Sequence, residues 1–388
     1  MRGVLVLASA IIILLCLGGV YAWSAYVPAL RDTYGYSSTQ TQVVFGSTIA
    51  VFTLVMTWAG RVQTRYGPRQ NALLAALLFV GGYGLAGMSG GKFWLLWLGI
   101  GVVSGAAIGC GYVAALATPL QWFPRHKGLV TGLAAAGFGG GAIVTTWVVE
   151  YMIRAQLGLG RVFEFKGMGY GIVIGVCALV LSTPGGSQIG GQVERGAVAR
   201  VLGERLFWTL VAGMWSGTFA GLLVIGNLKS IGVGAGLGAG QANLAISLFA
   251  IGNAAGRIIW GRWYDTWGYR VIPVSLAFLS LSLVILRVLP TRGEIFVLTA
   301  FLIGFGFGAC FVVYAAQVAA CYGVTQFSKV YPLVFMAYGV AGITGPLMGG
   351  WLHDLCGDYR LAILIAAALV LGGAMVCRKE PVRSRSGQ

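Results

Sequence analysis

Two ten-residue stretches of this chain share one pattern. Residues 261–270 read GRWYDTWGYR, and residues 60–69 read GRVQTRYGPR, 201 positions earlier. Two other landmarks keep nearly the same offset, because Tyr112 begins the run YVAA and Tyr314 begins the run YAA, 202 positions later. A nearly constant offset between separate landmarks predicts that one structural unit occurs twice in the chain.

The composition indicates that this repeated unit lies in a membrane. Of the 388 residues, 58% are hydrophobic and only 9% are charged, whereas a soluble domain has about a quarter charged residues. Glycine occurs 63 times and proline 10 times, which is typical of closely packed transmembrane helices. These numbers argue against a secreted disulfide scaffold, a nucleic-acid-binding protein and a disordered chain. The seven cysteines show no CxxC spacing and are expected to be small packed side chains.

Apolar stretches of about 20 residues, the length that crosses a bilayer, recur along the chain. The first follows Arg2 and, at about 25 residues, is predicted to be a span and not a signal peptide. The sequence therefore predicts an all-α membrane protein with twelve transmembrane helices, at residues 4–30, 42–60, 70–90, 93–121, 128–152, 167–182, 207–229, 240–261, 270–290, 294–320, 330–350 and 359–377.

The net charge of +16 is interpreted as a signal of membrane topology. Of the 26 Lys and Arg residues, 16 lie in the connections on one side of the predicted spans and nine on the other, and Arg257 is left inside a span. Cytoplasmic loops carry the excess of Lys and Arg. We therefore predict a multi-pass protein of the inner (plasma) membrane with both termini in the cytoplasm.

The longest polar stretch, between the sixth and seventh predicted spans, is rich in glycine and charge and divides the chain into two halves. Two pseudo-symmetric six-helix bundles are the architecture of rocker-type transporters, whose site lies between the halves near the bilayer midplane. The predicted units are an N-terminal bundle over 1–182, a cytoplasmic linker over 183–206, a C-terminal bundle over 207–377 and a basic cytoplasmic tail over 378–388.

The two Gly-Arg stretches follow the second and eighth predicted spans and resemble the loop signature of the major facilitator superfamily. The signature occurs twice at the places where the family has it, so the resemblance covers the whole chain. The acidic residue of the family signature is present as Asp265, whereas the first copy has Thr64. The arginine that follows it is present as Arg65, whereas the second copy has Thr266.

A narrower resemblance is carried by residues 122–139, which begin WFPRHKGL and end GFG. This aromatic-Phe-x-basic start and its small-residue run are similar to span five of monocarboxylate transporters and equally similar to that of oxalate:formate antiporters. Residues 21–24, with the sequence YAWS, also resemble the antiporter group. The resemblance therefore implies a carboxylate transporter and does not choose between the two groups.

Arg257 is the strongest candidate for a substrate-binding residue. A charge in hydrocarbon is costly and usually functional, and a guanidinium binds a carboxylate through two parallel hydrogen bonds. Asn253 precedes it by one turn, and Gly252 and Gly256 would let another helix approach closely. The spacing alone does not exclude an alternative, in which Arg257 is an interfacial arginine whose side chain extends toward the helix end near Gly261. Both resembled transporter groups have an arginine in span eight, which implies that Arg257 binds substrate.

Span eleven supplies an aromatic face and a distinction between substrates. Tyr331, Phe335 and Tyr338 recur at i, i+4 and i+7, so they share one helical face that either binds substrate or packs against other helices. Oxalate:formate antiporters have a lysine in an Ala-Lys-Gly run, where the matching residues 337–339 here are Ala-Tyr-Gly. One buried cation suits one carboxylate, so the sequence favours a monocarboxylate over oxalate.

The remaining candidates carry weaker signals. Tyr112 and Asn227 are further candidates for substrate contact, with helix packing and a polar helix-end position as their alternatives. Glu150 is expected to be an interface carboxylate at the outer end of span five. His126 and His353 lie apart without metal-ligand spacing, so neither a metal nor another cofactor is expected.

From these residues and the resemblance we expect a secondary transporter, not an enzyme, that carries small monocarboxylates such as L-lactate or pyruvate by proton-coupled symport. Arg257 would neutralise the carboxylate, and the tyrosines would surround the rest of the substrate. Moving one net charge against the membrane potential requires about 2.3 kcal/mol per 100 mV, and the proton coupling that the monocarboxylate resemblance implies avoids this. We expect a functional monomer in contact with lipid, without a nucleic-acid partner.

The proton carrier and two competing functions stay open at this point. No Asp or Glu lies at the centre of a predicted span, and Asn253 stands where monocarboxylate transporters often have Asp. The first competing function is a carboxylate anion exchanger of the oxalate:formate kind. The second is either a membrane receptor that transports nothing or a channel.

Overall fold

The computed structural model describes residues 2–123, 127–184, 201–288 and 293–378. Within those ranges the chain is almost entirely helical and has no strand, which confirms the predicted all-α class. Ten stretches there are long and apolar enough to cross a membrane. One of them, Ala239–Val288, contains two helices, and the shorter apolar helix Arg360–Val376 brings the number to the predicted twelve. Residues 185–200 of the predicted linker and 379–388 of the predicted tail lie outside the described residues.

We number the spans 1 to 12 in chain order. Span 1 is α-helical over Arg2–Gly18 and continues as a 3-10 helix over Gly19–Ala25, and the short helix Val27–Tyr34 then leads to span 2. Spans 2 to 12 are Ser38–Tyr66, Pro68–Gly87, Phe93–Trp122, Lys127–Arg154, Leu159–Val180, Arg205–Gly234, Ala239–Trp267, Val271–Val288, Gly293–Tyr322, Val330–Cys356 and Arg360–Val376.

Spans 10 and 11 share one long helix. The helix Gly293–Ala309 ends at a turn over 310–312, and the next helix, Val313–Cys356, has 44 residues. At 1.5 Å per residue such a helix would be about 66 Å long, roughly twice the hydrocarbon thickness of a bilayer. Val313–Cys356 therefore contains the end of span 10 as well as all of span 11.

The two Gly-Arg stretches form the same turn in both halves. Gly67 has a φ of 88° between spans 2 and 3, and Gly268 has a φ of 58° between spans 8 and 9. Residues with a β-carbon rarely adopt this left-handed region, so glycine lets the chain reverse within one or two residues. Pro68 then begins span 3, at a helix position where its missing N–H is harmless. The shared turn agrees with the internal duplication seen in the sequence.

Two lysines that were predicted to lie in outer connections are inside spans. Span 6 begins at Leu159, eight residues before the predicted start at 167, and span 7 continues to Gly234. Lys166 and Lys229 are consequently buried, with only 4% and 6% of their surfaces exposed. The prediction that Arg257 is the one cation inside a span is therefore wrong.

The sequence misplaced the two lysines for different physical reasons. Arg161 and Glu164 near the start of span 6 are exposed, but they lower the local hydropathy so that the helix looks like a loop. Lys229 is neutralised, because its Nζ atom lies 2.7 Å from Glu150 Oε2. Glu150 is itself buried, but it lies in the last turn of span 5 and also pairs with the exposed Arg154, so its expected place at the membrane interface stays a prediction.

The two six-helix bundles are closed against each other at one face. An even number of spans puts both chain ends at one face, which we call the terminal face, and we call the opposite face the far face. Hydrogen bonds and ion pairs join the bundles at the far face and near the centre. At the far face Asp354 accepts from the backbone N–H groups of Ser38 (2.9 Å) and Thr39 (2.8 Å), and Gln42 Nε2 donates to Gly226 O (3.0 Å).

Small residues allow span 2 and span 11 to approach closely across the two bundles. A β-carbon on Gly46 would lie 2.6 Å from the backbone oxygen of Gly342, and one on Gly342 would overlap the Ile49 side chain. Close helix contact through small residues is the usual way in which membrane helices gain packing energy. Closure of the far face therefore depends on the absence of side chains at these glycines.

Candidate functional site

Arg257 lies on span 8 at the boundary between the two bundles. Its Nε atom donates to Asn253 Oδ1 at 3.2 Å, and its Nη1 atom donates to the backbone oxygen of Ala135 on span 5 at 3.3 Å. The guanidinium carbon lies 4.3 Å from the centre of the Phe311 ring. These contacts hold the side chain between the bundles, and its burial disagrees with the alternative of a snorkelling interfacial arginine.

Two glycines bring span 10 close to the helix that carries Arg257. β-carbons on Gly252 and Gly256 would overlap the backbone oxygens of Phe301 and Phe305, so the predicted close approach of another helix is observed. Gly308 faces the backbone of Asn253 one turn further along span 10. This approach places the following residues of span 10 beside Arg257.

The three aromatic residues of span 11 form one continuous face beside Phe311. The ring centres of Tyr331 and Phe335 lie 5.6 Å apart, and those of Phe335 and Tyr338 lie 5.2 Å apart. The Phe311 ring contacts that of Tyr338 at 5.3 Å, and the Tyr331 hydroxyl donates to the Phe311 backbone oxygen at 3.5 Å. Because Phe311 also covers the guanidinium of Arg257, this face borders the arginine.

Tyr21 of span 1, which was not among the predicted site residues, joins Tyr338 across the two bundles. Their hydroxyl oxygens lie 2.9 Å apart, and either can donate. The Tyr21 ring packs edge-on against Phe138 and Phe307, and its hydroxyl is close enough to interact electrostatically with Arg257. A signal for Tyr21 was present, because it begins the YAWS run that resembles the antiporters.

Tyr112 of span 4 belongs to the same aromatic cluster. Its ring centre lies 5.2 Å from that of Phe138 and 5.3 Å from that of Phe52. Phe52 in turn contacts Tyr338, and the Tyr112 hydroxyl interacts electrostatically with Arg257. The sequence could not single out Phe52 or Phe138, because the chain has 19 phenylalanines and no local spacing distinguishes these two.

Asn227 lies apart from this cluster. Its Nδ2 atom donates to Leu223 O at 2.9 Å on its own helix, and Gly349 of span 11 packs against it. The structure thus brings together six of the seven predicted site residues and leaves Asn227 toward the far face. A substrate contact by Asn227 stays a prediction.

The cluster around Arg257 offers one cation, several hydroxyl groups and aromatic walls. A guanidinium has five N–H donors. Asn253 and Ala135 account for two of them, so donors remain for a bound anion. In the described part of the chain no carboxylate pairs with Arg257, and no group of three or more His, Cys, Asp or Glu is close enough to hold a metal ion. The arrangement fits a small organic anion with one carboxylate.

Comparison with known proteins finds relatives along the whole chain. The family model described as Major Facilitator Superfamily matches residues 8–240 and 219–388. The chain is 26% identical to the uncharacterized MFS-type transporter YhjX of Escherichia coli over 345 residues. This aligned region covers 87% of this chain and 85% of YhjX. Over 378 residues the chain is 25% identical to the oxalate:formate antiporter of Oxalobacter formigenes, with coverages of 93% and 87%. Over 361 residues it is 22% identical to monocarboxylate transporter 11 of Homo sapiens, with coverages of 90% and 76%.

Proposed function

Because the chain belongs to the Major Facilitator Superfamily, we propose that it carries small monocarboxylates such as L-lactate or pyruvate across the membrane together with a proton. Its relatives are transporters and not enzymes. In this proposal the two six-helix bundles, 1–182 and 207–377, rock against each other and expose the cluster around Arg257 to one face at a time.

The observation that carries the proposal is the buried guanidinium of Arg257 between the bundles. Its remaining N–H donors would bind a carboxylate through two parallel bonds, as guanidinium groups commonly do. Each hydrogen bond to a charged group contributes roughly 1.5 kcal/mol or more, so two of them would supply about a hundredfold in affinity. A residue at the boundary of two moving bundles also changes its surroundings when one face closes and the other opens.

The walls of the cluster support a small substrate with a single carboxylate. Aromatic rings pack against apolar groups, and the hydroxyls of Tyr21, Tyr112 and Tyr338 would form hydrogen bonds with a keto or hydroxy group of the substrate. Tyr338 stands where the resembled antiporters have a lysine, so a second carboxylate would lack a partner. The names of two relatives, an oxalate:formate antiporter and a monocarboxylate transporter, support carboxylates as the substrate class.

The proposal extends to coupling, location and assembly. Proton symport makes the transfer of a monocarboxylate electroneutral. The excess of Lys and Arg at the terminal face supports an inner (plasma) membrane protein with both termini in the cytoplasm. We further propose that one chain is the functional unit, and that Asn253 positions the guanidinium through the bond to its Nε atom.

Uptake of radiolabelled L-lactate into proteoliposomes, with and without an inward proton gradient, tests the proposal. We expect saturable uptake that the gradient stimulates. Arg257→Ala should lower uptake about a hundredfold, because two charge-assisted bonds are lost. Arg360→Ala, which removes an exposed arginine, is the matched control. Undiminished uptake by Arg257→Ala would overturn the role of Arg257, and uptake that ignores the gradient would overturn symport.

A carboxylate anion exchanger is the second candidate, and the similarity to the oxalate:formate antiporter favours it. An exchanger would be stimulated by formate or oxalate inside the vesicles and would not respond to the proton gradient. The same proteoliposomes, preloaded with either anion, distinguish the two functions. A channel or a receptor would not accumulate lactate above its external concentration.

A further inference from the structure

Lys166 is the one buried charged side chain in the described part of the chain that has neither an ion-pair partner nor a hydrogen-bond partner. Four Asp, Glu, Lys and Arg side chains are buried there. Arg257 belongs to the candidate site, and Glu150 and Lys229 neutralise each other. The Nζ atom of Lys166 has no ion-pair or hydrogen-bond partner among the described residues. It faces three tyrosine rings instead, those of Tyr83 at 4.7 Å, Tyr26 at 5.3 Å and Tyr170 at 5.8 Å.

The tyrosine rings compensate the charge of Lys166 only in part. A desolvated cation–π contact contributes about 2 kcal/mol, whereas removing an ammonium ion from water costs several kcal/mol even after the protein relaxes. A buried lysine can remove that cost by losing its proton to water and becoming a neutral amine. Lys166 is therefore a group that can exist in two charge states inside the bundle.

Among the described residues, no buried carboxylate faces Lys166 from the elements packed around it. The titratable groups that face it are Tyr26 after span 1, Tyr83 on span 3, Tyr170 on its own helix and Cys16 on span 1. Spans 2 and 4 contribute hydroxyl and apolar side chains. Arg161 and Glu164, the other charges of span 6, are on its exposed side. A change of charge at this place would therefore belong to Lys166.

A void beside Lys166 connects it to the boundary between the bundles through one side chain. The void measures about 10 Å³, which is room for about one water molecule, and the Tyr26 hydroxyl that borders it has no partner in the described chain. Phe45 of span 2 closes the void on one side, and a β-carbon on Gly226 of span 7 would lie 2.9 Å from its ring. Parting of the bundles at the far face would take Gly226 away from Phe45 and would open this side of the void to water.

The 3-10 segment Gly19–Ala25 lies between Lys166 and the candidate substrate site. Val20 and Trp23 of this segment line the void, whereas Tyr21 points to Tyr338 and the cluster around Arg257. The segment therefore contacts the candidate substrate site on one side and the surroundings of Lys166 on the other.

We propose that the Lys166 amine binds and releases the proton of the symport, an inference that rests on the proposed function. With the far face open, the amine lone pair takes a proton from water and becomes an ammonium ion while the carboxylate binds Arg257. With the terminal face open, this N–H bond breaks, the proton passes to water in the void beside Lys166, and the carboxylate leaves. One positive and one negative charge therefore cross together.

Two assays on full-length protein in proteoliposomes test this role with radiolabelled L-lactate. The first is uptake driven by an inward proton gradient, and the second is lactate counterflow at equal pH, in which no net proton crosses. We expect Lys166→Met, which keeps the volume and removes the charge, to lose stimulation by the gradient and to retain counterflow. Lys92→Met, at an exposed lysine, should behave as the wild type in both assays.

The outcomes separate this inference from the proposed function. If wild-type uptake ignores the gradient, symport itself is wrong. If the wild type responds and Lys166→Met responds equally, the role of Lys166 is overturned and symport stands. If Lys166→Met folds but loses counterflow too, Lys166→His decides, because an imidazole titrates near neutral pH. Gradient-driven uptake by Lys166→His would support proton binding at this position, and its absence would overturn the proposal and identify Lys166 as a packing residue.

Discussion

The Nζ atom of Lys229 lies 2.7 Å from Oε2 of Glu150, and this buried ion pair ties span 7 to span 5 across the two six-helix bundles. Arg154 Nε lies 3.2 Å from the other carboxylate oxygen, and Lys229 also donates to the backbone oxygen of Ala25. The pair lies on the far-face side of Arg257. It must separate whenever the bundles part there, so it belongs to the state in which the far face is closed.

Removing one partner of this pair should destabilise the protein more than removing both. Glu150→Gln leaves the Lys229 charge buried without a counter-ion, which costs about 3–5 kcal/mol in comparable buried pairs. The double variant Glu150→Gln/Lys229→Met removes both charges and should recover most of that loss. Thermal unfolding in detergent measures the difference. Asp358→Asn, at the exposed Asp358–Arg360 pair, is the control and should change little. A double variant as unstable as Glu150→Gln would contradict the pairing.

The hydroxyl pair of Tyr21 and Tyr338 should show coupled, non-additive effects. Each single change to Phe leaves the opposite buried hydroxyl without its partner, at a cost of about 1–3 kcal/mol. The double change to Phe should cost less than the sum, because no unpaired hydroxyl remains. A double-mutant cycle of thermal stability measures this coupling, and Tyr151→Phe, at an exposed tyrosine, serves as control. Strict additivity would show that the two hydroxyls do not interact.

A side chain at Gly46 should weaken closure of the far face. In Gly46→Ala the new β-carbon would press on the Gly342 backbone, so spans 2 and 11 must separate. We expect a cysteine introduced by Gln42→Cys, at a buried position of the far face, to react faster with a membrane-impermeant thiol reagent in the Gly46→Ala background. Both proteins would carry Cys356→Ser, because Cys356 is exposed.

Gly60→Ala is the matched control for this experiment. Gly60 lies on the same helix, and a β-carbon there has no neighbour within 4 Å. Equal labelling rates for Gly46→Ala and Gly60→Ala would mean that the close contact of spans 2 and 11 does not hold the far face shut.

A second cation at the site should change which anions compete with lactate. Tyr338→Lys places an ammonium where the resembled antiporters have one, and the cluster then offers partners for two carboxylates. We expect oxalate to inhibit lactate uptake by this variant and not by the wild type. Phe335→Lys, one turn away on the same face, is the control for a buried lysine as such. Inhibition of the wild type by oxalate would instead favour the anion exchanger.

The fold was largely predictable, because each span must satisfy its backbone polar groups by itself within the bilayer. Length and hydropathy therefore located the twelve spans, and the repeated glycines located the turns at Gly67 and Gly268. The start of span 6 was misplaced because exposed charges and a buried one look alike in a hydropathy count. Only the packing shows that Lys166 is buried while Glu164 is exposed.

The candidate site was predictable where one helix contributes several of its residues. Arg257 with Asn253, and the three aromatic residues of span 11, follow from helical spacing on a single helix. Tyr21, Phe138 and Phe311 reach the same place from spans 1, 5 and 10, and no local spacing relates residues so far apart in the chain. Asn227 looked similar in sequence, but its amide bonds to its own helix.

By itself the sequence determined the class of protein, the number of spans, the internal repeat and the arginine between the halves, because these depend on apolar length and on charge within a span. The tertiary structure alone decided which charges compensate one another. Glu150 and Lys229 come from spans 5 and 7 and neutralise each other, whereas Lys166 is left among tyrosine rings. The cost of a buried charge depends on partners only a few ångströms away, and helix packing across the two bundles brings those partners together.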